Sequence, residues 1–183
     1  MSWDVTLNDP VTGNTLLLDE PHQMRGGTYA IGGTRECWLN VTWNYSNYYF
    51  EAADGDERFA YQDSDGKIEH GIRGLYGKTA VESIPMLEDL AARIGKKYKN
   101  PDGTWKTARR KRQRFFDNHG IEIDFPQYIK LPDGKRSCKE DDYVVSEGDT
   151  SNYNERTAAN AIKALKQLEA FAKLRPDGVW GGD

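Results

Sequence analysis

Apolar and polar residues alternate strictly in two stretches near the start of the chain. In "WDVTL", Trp3, Val5 and Leu7 fall on one face, and "ECWLNVTWNYSNYYFEA" begins the same alternation at Cys37. Successive side chains of a β-strand point to opposite faces of a sheet, so a period of two predicts a strand with one buried side. We therefore expect a strand in each stretch, the second over residues 36–52.

Turn-forming residues divide this β-rich region into hairpins. "NDPVTGN" lies between the two apolar halves of residues 3–19, and "DSDG" separates two further short β runs. Two Gly-Gly pairs in "RGGTYAIGGT" bracket a short apolar strand at residues 29–31. The first 75 residues are thus predicted to form four to six antiparallel strands.

Helical spacing of apolar residues takes over in the second half of the chain. "TAVESIPMLEDLAARIG" predicts a helix that begins near Ser83, with Pro85 in its first turn, and ends at Gly95. The strongest helical pattern covers residues 155–174, with Asn154 as its N-cap.

The stretch between these two helices is rich in charge. "TWKTARRKRQRFFDNHG" predicts a helix over residues 104–119, capped by Thr104, although its apolar face is narrow. "IEIDF" predicts a strand, and residues 127–153 are expected to be rich in loops. The tail "VWGGD" is expected to fold back, because the large Trp180 ring would otherwise remain in water.

These elements predict an α+β fold in which an N-terminal antiparallel β-sheet packs against two or three α-helices. The 183 residues suit one compact domain. It is expected to be mainly β over residues 1–75 and mainly α over residues 80–183, with a basic helical segment at 93–116.

Charge is distributed unevenly along the chain. The net charge is −4, yet residues 93–114 hold ten basic residues against one acidic residue, Asp102. In a helix, like charges three or four positions apart repel, so this segment needs counter-charges from elsewhere. Acidic clusters lie at residues 51–65 and 139–149, and the second is a candidate counter-charge inside the chain. The acidic remainder also suits a protein that imitates a phosphate backbone.

The basic segment is the predicted binding site for a partner. Aromatic residues are interleaved with its cations, and its second half is rich in arginine, which can form two parallel hydrogen bonds to a phosphate. The candidate binding residues are Lys96, Lys97, Lys99, Trp105, Lys106, Arg109, Arg110, Lys111, Arg112 and Arg114. Three partners stay open: DNA or RNA, an acidic protein surface, or residues 139–149 of the same chain.

Signals for catalysis, cofactors and metals are weak. "RGGTYAIGGT" matches neither glycine-rich nucleotide-binding pattern, the three histidines are scattered, and no GxSxG motif occurs. Cys37 and Cys138 lack a CxxC spacing, which is typical of thiols in a reducing compartment. We predict no catalytic residue, metal or cofactor. The sequence shows neither a signal peptide nor a long apolar run, so we expect a cytoplasmic protein with no membrane contact.

The stretches "RGGTYAIGGT", "WLNVTWNY" and "LRPDGVWGGD" resemble a small group of phage and prophage proteins from gut Firmicutes. Residues 96–114 look like an insertion relative to shorter members of that group. Phage proteins of this size include anti-CRISPR proteins directed at Cas9. The resemblance implies a non-enzymatic inhibitor of a host nucleic-acid-handling defence complex, most concretely a Cas9 ribonucleoprotein. The alternative is a phage nucleic-acid-binding or nucleic-acid-modifying enzyme. The resemblance assigns no catalytic or binding residue.

Overall fold

The computed structural model describes residues 2–22 and 34–182. The chain divides into two compact units: the first combines residues 1–105 with 147–183, and the second is residues 106–146. This division does not test whether the units fold independently, so the single-domain prediction stays a prediction. Helices and antiparallel sheets occur together, which confirms the predicted α+β class.

The elements follow the chain in one order. They are β1 (Ser2–Asn8), β2 (Leu17–His22), β3 (Thr34–Glu36), β4 (Trp38–Thr42), α1 (Ser46–Ala53), β5 (Ala60–Gln62), β6 (Ile68–His70), α2 (Ala80–Tyr98), β7 (Thr107–Asp117), β8 (Glu122–Ile123), α3 (Phe125–Tyr128), β9 (Arg136–Ser146), α4 (Ala158–Leu174) and β10 (Val179–Gly182). Short 3-10 helices lie at Trp43–Tyr45, Glu57–Phe59 and Ile72–Leu75. The second unit contains β7, β8, α3 and β9.

A three-stranded antiparallel sheet with the order β10-β1-β4 forms one layer of the first unit. Trp3, Val5 and Leu7 of β1 are buried, which confirms the face that their alternation predicted. β10 pairs with β1 so that Trp180 lies opposite Leu7, and the predicted return of the tail is confirmed. The sheet therefore takes in a strand from the C-terminal end of the chain beside the N-terminal strands.

The predicted hairpin over residues 3–19 is wrong in its pairing. β1 pairs with β10 and β4, whereas β2 pairs with β3. The expected hairpin does form next to its turn, where Asn8 and Thr15 make a bridge and the backbone N–H of Leu16 donates to the carbonyl of Leu7 at 2.8 Å. Since the apolar face of β1 is buried and most of β2 is exposed, β1 takes the centre of the sheet instead of an edge beside β2.

Helices α2 and α4 pack against each other and share one hydrophobic core with the sheet. α2 begins at Ala80, not near Ser83, because Thr79 and Glu82 form a capping box. In this box the backbone N–H of Thr79 donates to the Glu82 carboxylate at 2.9 Å. Pro85 consequently lies inside the helix, and α2 continues past Gly95 to its end at Tyr98.

Helix α4 confirms the strongest helical prediction, with a different cap. The hydroxyl of Thr157, and not Asn154, accepts a hydrogen bond from the backbone N–H of Asn160 at 3.2 Å. The predicted apolar stripe is largely buried: Ala158, Ala161, Leu165, Leu168 and Ala172. A buried face of this kind stabilises the helix more than its intrinsic propensity does.

A buried carboxylate holds the first turn of α4. Glu147 Oε2 accepts hydrogen bonds from the backbone N–H of Ala158 at 2.9 Å and from the Tyr48 hydroxyl at 2.6 Å. A negative charge at a helix N-terminus interacts favourably with the unpaired N–H groups there. Glu147 therefore joins α1 to α4 inside the first unit.

The strand predicted over residues 36–52 is wrong beyond Thr42. The Thr42 side chain caps the following 3-10 turn, and the chain continues as α1. After this point the buried residues recur every three or four positions, as in a helix: Tyr45, Tyr48, Tyr49 and Ala53. The Tyr49 hydroxyl then donates to the carbonyl of Ala161 at 3.0 Å, which fixes α1 against α4.

The hairpin predicted around "DSDG" is confirmed as β5 and β6, which pair antiparallel. Asp63 closes its turn by accepting hydrogen bonds from the backbone N–H groups of Asp65 and Lys67 at 2.9 and 2.8 Å. The strand predicted at residues 29–31 lies outside the described residues.

The basic helix predicted over residues 104–119 is wrong. Residues 107–117 form β7, which pairs antiparallel along its whole length with β9, a strand inside the predicted loop span 127–153. A helix would stack like charges at neighbouring turns, whereas the strand places the basic residues beside an acidic strand. Of the predicted strand "IEIDF", only Glu122–Ile123 forms β8, because Asp124 caps α3.

We expect Trp180→Ala to lower the free energy of unfolding by about 3–5 kcal/mol, since it leaves a cavity between β10 and α2. Trp180 Nε1 donates to Ser83 Oγ at 2.7 Å, so Ser83→Ala should cost about 1–3 kcal/mol by leaving a buried N–H without an acceptor. Denaturant unfolding measures both values. The exposed Val11→Ala is the control, with a change within about 0.5 kcal/mol. Equal effects for Trp180→Ala and Val11→Ala would contradict the role of the tail.

A cluster of four charged side chains ties the start of β5 to α2. Asp56 Oδ2 accepts hydrogen bonds from Arg58 at 2.6 Å and from Arg93 at 2.8 Å, and Asp89 accepts from the same two arginines. These hydrogen bonds, that of Arg58 most strongly, hold the pKa of Asp56 well below its ordinary value.

Because the pKa of Asp56 is lower in the folded state, its charge stabilises the fold above the unfolded-state pKa of about 4. This stabilisation is lost as the pH falls through the folded-state pKa. We expect Asp56→Asn to lower the free energy of unfolding at neutral pH and to approach the wild type below about pH 4. Urea unfolding across a pH series tests this, with the exposed Asp54→Asn as control. A difference that is constant with pH would contradict the role of the carboxylate.

Candidate polyanion-binding ribbon

The ten predicted binding residues fall into two groups. Four lie at the C-terminal end of α2 and beyond it in the first unit: Lys96, Lys97, Lys99 and Trp105. Six lie at the start of β7 and along it in the second unit: Lys106, Arg109, Arg110, Lys111, Arg112 and Arg114. The turn at residues 100–103 lies inside the first group, between Lys99 and Trp105, and is closed by a hydrogen bond from the backbone N–H of Gly103 to the carbonyl of Asn100 at 2.9 Å.

The group in the first unit is largely occupied by contacts inside that unit. Lys97 pairs with Glu51 at 2.9 Å, and the Lys99 ammonium lies 4.7 Å from the centre of the Trp105 ring. Trp105 itself packs against the hydrophobic core. Within the described part of the chain, Lys96 is exposed and forms no ion pair. Trp105 therefore serves as an anchor in the core, which limits its use as a stacking platform.

In the second unit, β8, β7 and β9 form a three-stranded antiparallel sheet, and we call the long pair β7–β9 within it the ribbon. Directly opposed residues of such a pair share a face, so the even-numbered residues of β7 point to one side and the odd-numbered residues to the other. No residue between positions 106 and 146 is buried. Every residue of the ribbon is therefore at least partly accessible to solvent.

One side of the ribbon, which we call the arginine face, combines cations with aromatic rings. It consists of Arg110, Arg112, Arg114 and Phe116 of β7 with Lys139 and Tyr143 of β9. The Arg112 guanidinium lies 5.3 Å from the Tyr143 ring centre, and Arg114 and Lys139 lie 5.3 and 5.4 Å from that of Phe116. Such contacts, worth about 0.5–1 kcal/mol at exposed sites, hold the cations in register along the face.

Two carboxylates partly neutralise the arginine face. Arg114 donates two hydrogen bonds to Glu122, at 2.9 and 2.6 Å, and Arg112 donates one to Asp141 at 3.3 Å. The hydrogen bonds from Arg114 lower the pKa of Glu122, which keeps that carboxylate ionised. Among the side chains that this sheet places on the face, four cations therefore meet two anions.

The opposite side of the ribbon is balanced in charge. Three cations meet three carboxylates there: Arg109, Lys111 and Arg136 with Asp117, Glu140 and Asp142. Lys111 pairs with Glu140 at 2.5 Å. One end of this side is covered by α3, whose Phe125 and Tyr128 rings lie 5.2 and 4.7 Å from that of Phe115. The two faces thus differ in net charge because of the period of two along β7.

The ion pairs of the ribbon are exposed and therefore weak. The side chains of Arg112 and Asp141 are 53% and 40% exposed, and those of Lys111 and Glu140 are 67% and 57% exposed. Exposed pairs contribute about 0–1 kcal/mol, so the phosphates of a partner can replace these carboxylates. The second unit holds ten basic and seven acidic residues, so its net charge is smaller than the linear basic run suggests.

The candidate binding residues did not include Phe116, and they missed both members of the arginine face that the second strand contributes, Lys139 and Tyr143. They lie on β9, in a span that was predicted to be loop. A signal was present, because "CKEDDYVVS" contains three β-forming residues directly after its charged cluster. Cations lie on both sides of residues 107–117, so no apolar period of two marks β7 as a strand in the sequence.

Other chemistry in the described residues is sparse. Within residues 2–22 and 34–182, no group of three or more His, Cys, Asp or Glu side chains could hold a metal ion. Cys37 is buried, and burial raises the pKa of its thiol to about 11, whereas Cys138 is exposed on β9. None of the described helices has the length and apolar character needed to cross a membrane.

Comparison of the chain with protein-family models, with curated proteins and with solved structures finds no match.

Proposed function

We propose that this protein is a non-enzymatic binding protein whose arginine face contacts the phosphate backbone of a single-stranded nucleic acid. The observation that carries this proposal is the alternation of cations with the Phe116 and Tyr143 rings on one face, where Arg112 and Lys139 are exposed and the other members are half-buried. Proteins that bind single strands combine cations for the phosphates with aromatic rings on which bases stack.

The spacing of the arginines supports an extended ligand. Arg110, Arg112 and Arg114 recur about every 6.8 Å along β7, which is twice the rise per residue of a strand. The stacked rise of one nucleic-acid strand is about 3.4 Å per nucleotide. A single strand stretched to about twice this rise would present one phosphate to each arginine.

Exchange of carboxylates for phosphates supplies the driving force. Each phosphate that a cation neutralises releases counterions from the nucleic acid, whereas the exposed pairs with Asp141 and Glu122 are worth little. The arginine face consequently binds best at low salt. Its contacts are to the backbone and carry little sequence information.

We extend the proposal to the partner and the biological role. The resemblance of "WLNVTWNY" and "LRPDGVWGGD" to phage proteins supports a phage-encoded inhibitor of a host nucleic-acid-handling defence complex, most concretely a Cas9 ribonucleoprotein. In such a complex the arginine face would occupy the guide RNA or displaced single-stranded DNA.

Charge reversal on the arginine face should weaken binding to a labelled single-stranded DNA. We expect Arg110→Glu with Arg112→Glu to lower the affinity at least about tenfold at low salt. The slope of log affinity against log salt should fall by about 1.4, since two phosphate contacts are lost. Fluorescence anisotropy over a salt series measures both quantities.

The matched control is Arg109→Glu with Lys111→Glu on the opposite face. It changes the same number of charges on the same strand and also breaks one exposed pair, that of Lys111 with Glu140. This control should lose less affinity than the arginine-face variant. Equal losses would contradict the assignment of the face, and a wild type that does not bind at low salt would overturn the nucleic-acid contact.

The same two variants test the inhibitor role. The wild type should bind a Cas9–guide complex and reduce its DNA cleavage, and the arginine-face variant should do so less than the opposite-face control. Unchanged cleavage with the wild type would remove Cas9 as the partner. Chemical alteration of the DNA or RNA by the wild-type protein would overturn the non-enzymatic role.

Removing the competing carboxylates should strengthen binding. We expect Glu122→Gln with Asp141→Asn to raise the affinity for single-stranded DNA several-fold more than Glu140→Gln with Asp142→Asn, although both remove two negative charges. The first pair faces the arginines, and the second lies on the balanced side. Anisotropy titrations compare the two. Equal gains would show that only the net charge matters and that the carboxylates do not compete at the face.

A further inference from the structure

A pocket in the first unit lies between the β5–β6 hairpin and the 3-10 helix at Ile72–Leu75. Its volume is about 400 Å³, and it is lined by Ala60, Tyr61, Gln62, Arg73 and Tyr76. Pockets for small ligands begin at about 300 Å³ and combine apolar or aromatic walls with a few polar groups. None of the lining residues belongs to the arginine face.

Arg73 is the unusual group in this pocket. Its Nε atom is buried and has no hydrogen-bond partner, and Arg73 forms no ion pair with another described residue. The other guanidinium nitrogens have no acceptor among the described residues either, so an anion in the pocket that binds them would supply the counter-charge that Arg73 lacks.

Neighbouring carboxylates are committed to other contacts. Glu69, which lies opposite Tyr61 in the hairpin, pairs with Lys67. Asp63 accepts two backbone hydrogen bonds inside its own turn. The hairpin therefore supplies no carboxylate to Arg73, although it contains acidic residues close in sequence.

The remaining lining groups indicate the class of ligand. The Tyr61 hydroxyl forms no hydrogen bond with another described residue and can donate to an oxyanion. Gln62 Nε2 donates to the carbonyl of Gly66 at 3.1 Å, which fixes the orientation of its amide. The rings of Tyr61 and Tyr76 provide aromatic walls, which favour a planar group attached to the anion.

We propose that this pocket binds a small ring compound that carries an oxyanion, with Arg73 as the anion-binding residue and Tyr61 as a second donor. Phosphate and carboxylate share the geometry that an arginine fork recognises. A pocket of this volume has room for a compound of about the size of a nucleoside monophosphate. The proposal is independent of nucleic-acid binding by the ribbon.

Protein NMR with isotope-labelled wild type tests the pocket, with phenyl phosphate, benzoate, inorganic phosphate and phenol as probes. Phenyl phosphate or benzoate should give saturable shifts of the backbone amides of Tyr61, Arg73 and Tyr76, and the tighter of the two identifies the oxyanion. Inorganic phosphate should bind more weakly because it lacks a ring, and phenol because it lacks the charge. Equal shifts with phenol, or no saturable shift with either anion, would overturn the proposal.

Arg73→Gln should weaken the tighter anion at least about tenfold, since a charge-assisted hydrogen bond is lost. Arg109→Gln, the same substitution at an exposed arginine of the ribbon, should leave the affinity unchanged. Tyr61→Phe and Arg73→Lys keep the test valid if Arg73→Gln does not fold, and each should weaken binding. An affinity unaffected by Arg73→Lys and Tyr61→Phe would remove both residues from the site.

The ribbon variant Arg110→Glu with Arg112→Glu separates the two proposals. It should retain wild-type affinity for the ring anion while losing affinity for single-stranded DNA. Loss of both activities in this variant would place the anion on the ribbon and overturn the pocket.

Discussion

The pairing of β1 with β10 on one side and β4 on the other is the interaction on which the first unit depends. β1 contributes Trp3, Val5 and Leu7 to the core, and β10 brings Trp180 from the other end of the chain into the same layer. The core around this sheet contains no residue of 106–146. Because that segment contributes no residue to the core, its sequence is free of the demand for apolar residues and can carry charge.

Strand pairing decides what the charges of the second unit can do. A linear run of cations would repel itself in a helix, but β9 places three carboxylates, Glu140, Asp141 and Asp142, opposite the middle of β7. The period of two then sorts the charges by side, so that one face balances and the other keeps Arg110, Arg112 and Arg114 beside aromatic rings. Neutralisation inside the chain and binding to a partner are therefore compatible, since the pairs are exposed and weak.

Solvent access separates the polar groups with a structural role from those that can exchange partners. Glu147 is buried, and its carboxylate accepts hydrogen bonds from Tyr48 and from the backbone of Ala158, which the fold holds in place. Asp56 is shielded between two arginines in the same way. The pairs of the ribbon are open to water and can be replaced at little cost. Arg73 fits neither class, because its guanidinium has no acceptor among the described residues, and the proposed ring anion would supply one.

Local patterns in the sequence determined much of the first unit. The alternation around Trp3, the turn "DSDG" and the apolar stripe of α4 identified their elements, because each pattern follows from the periodicity of one element with one buried face. The return of Trp180 was predictable from the size of its side chain. The uneven charge was also evident in the sequence, as were most of the cations of the arginine face.

Only the tertiary structure decided the partners of each element. β1 pairs with strands that are distant in sequence. Part of a predicted strand is the helix α1, which packs against α4 through the hydrogen bond from the Tyr49 hydroxyl to the Ala161 carbonyl. Lys139 and Tyr143 reach the arginine face because β9 pairs with β7, and no local pattern of β7 specifies that partner. The lack of a hydrogen-bond acceptor for Arg73 Nε is evident only from the positions of the surrounding residues. The physical reason is the same in each case. Periodicity reports which face of an element is buried, whereas the identity of the covering surface depends on residues far away in the chain.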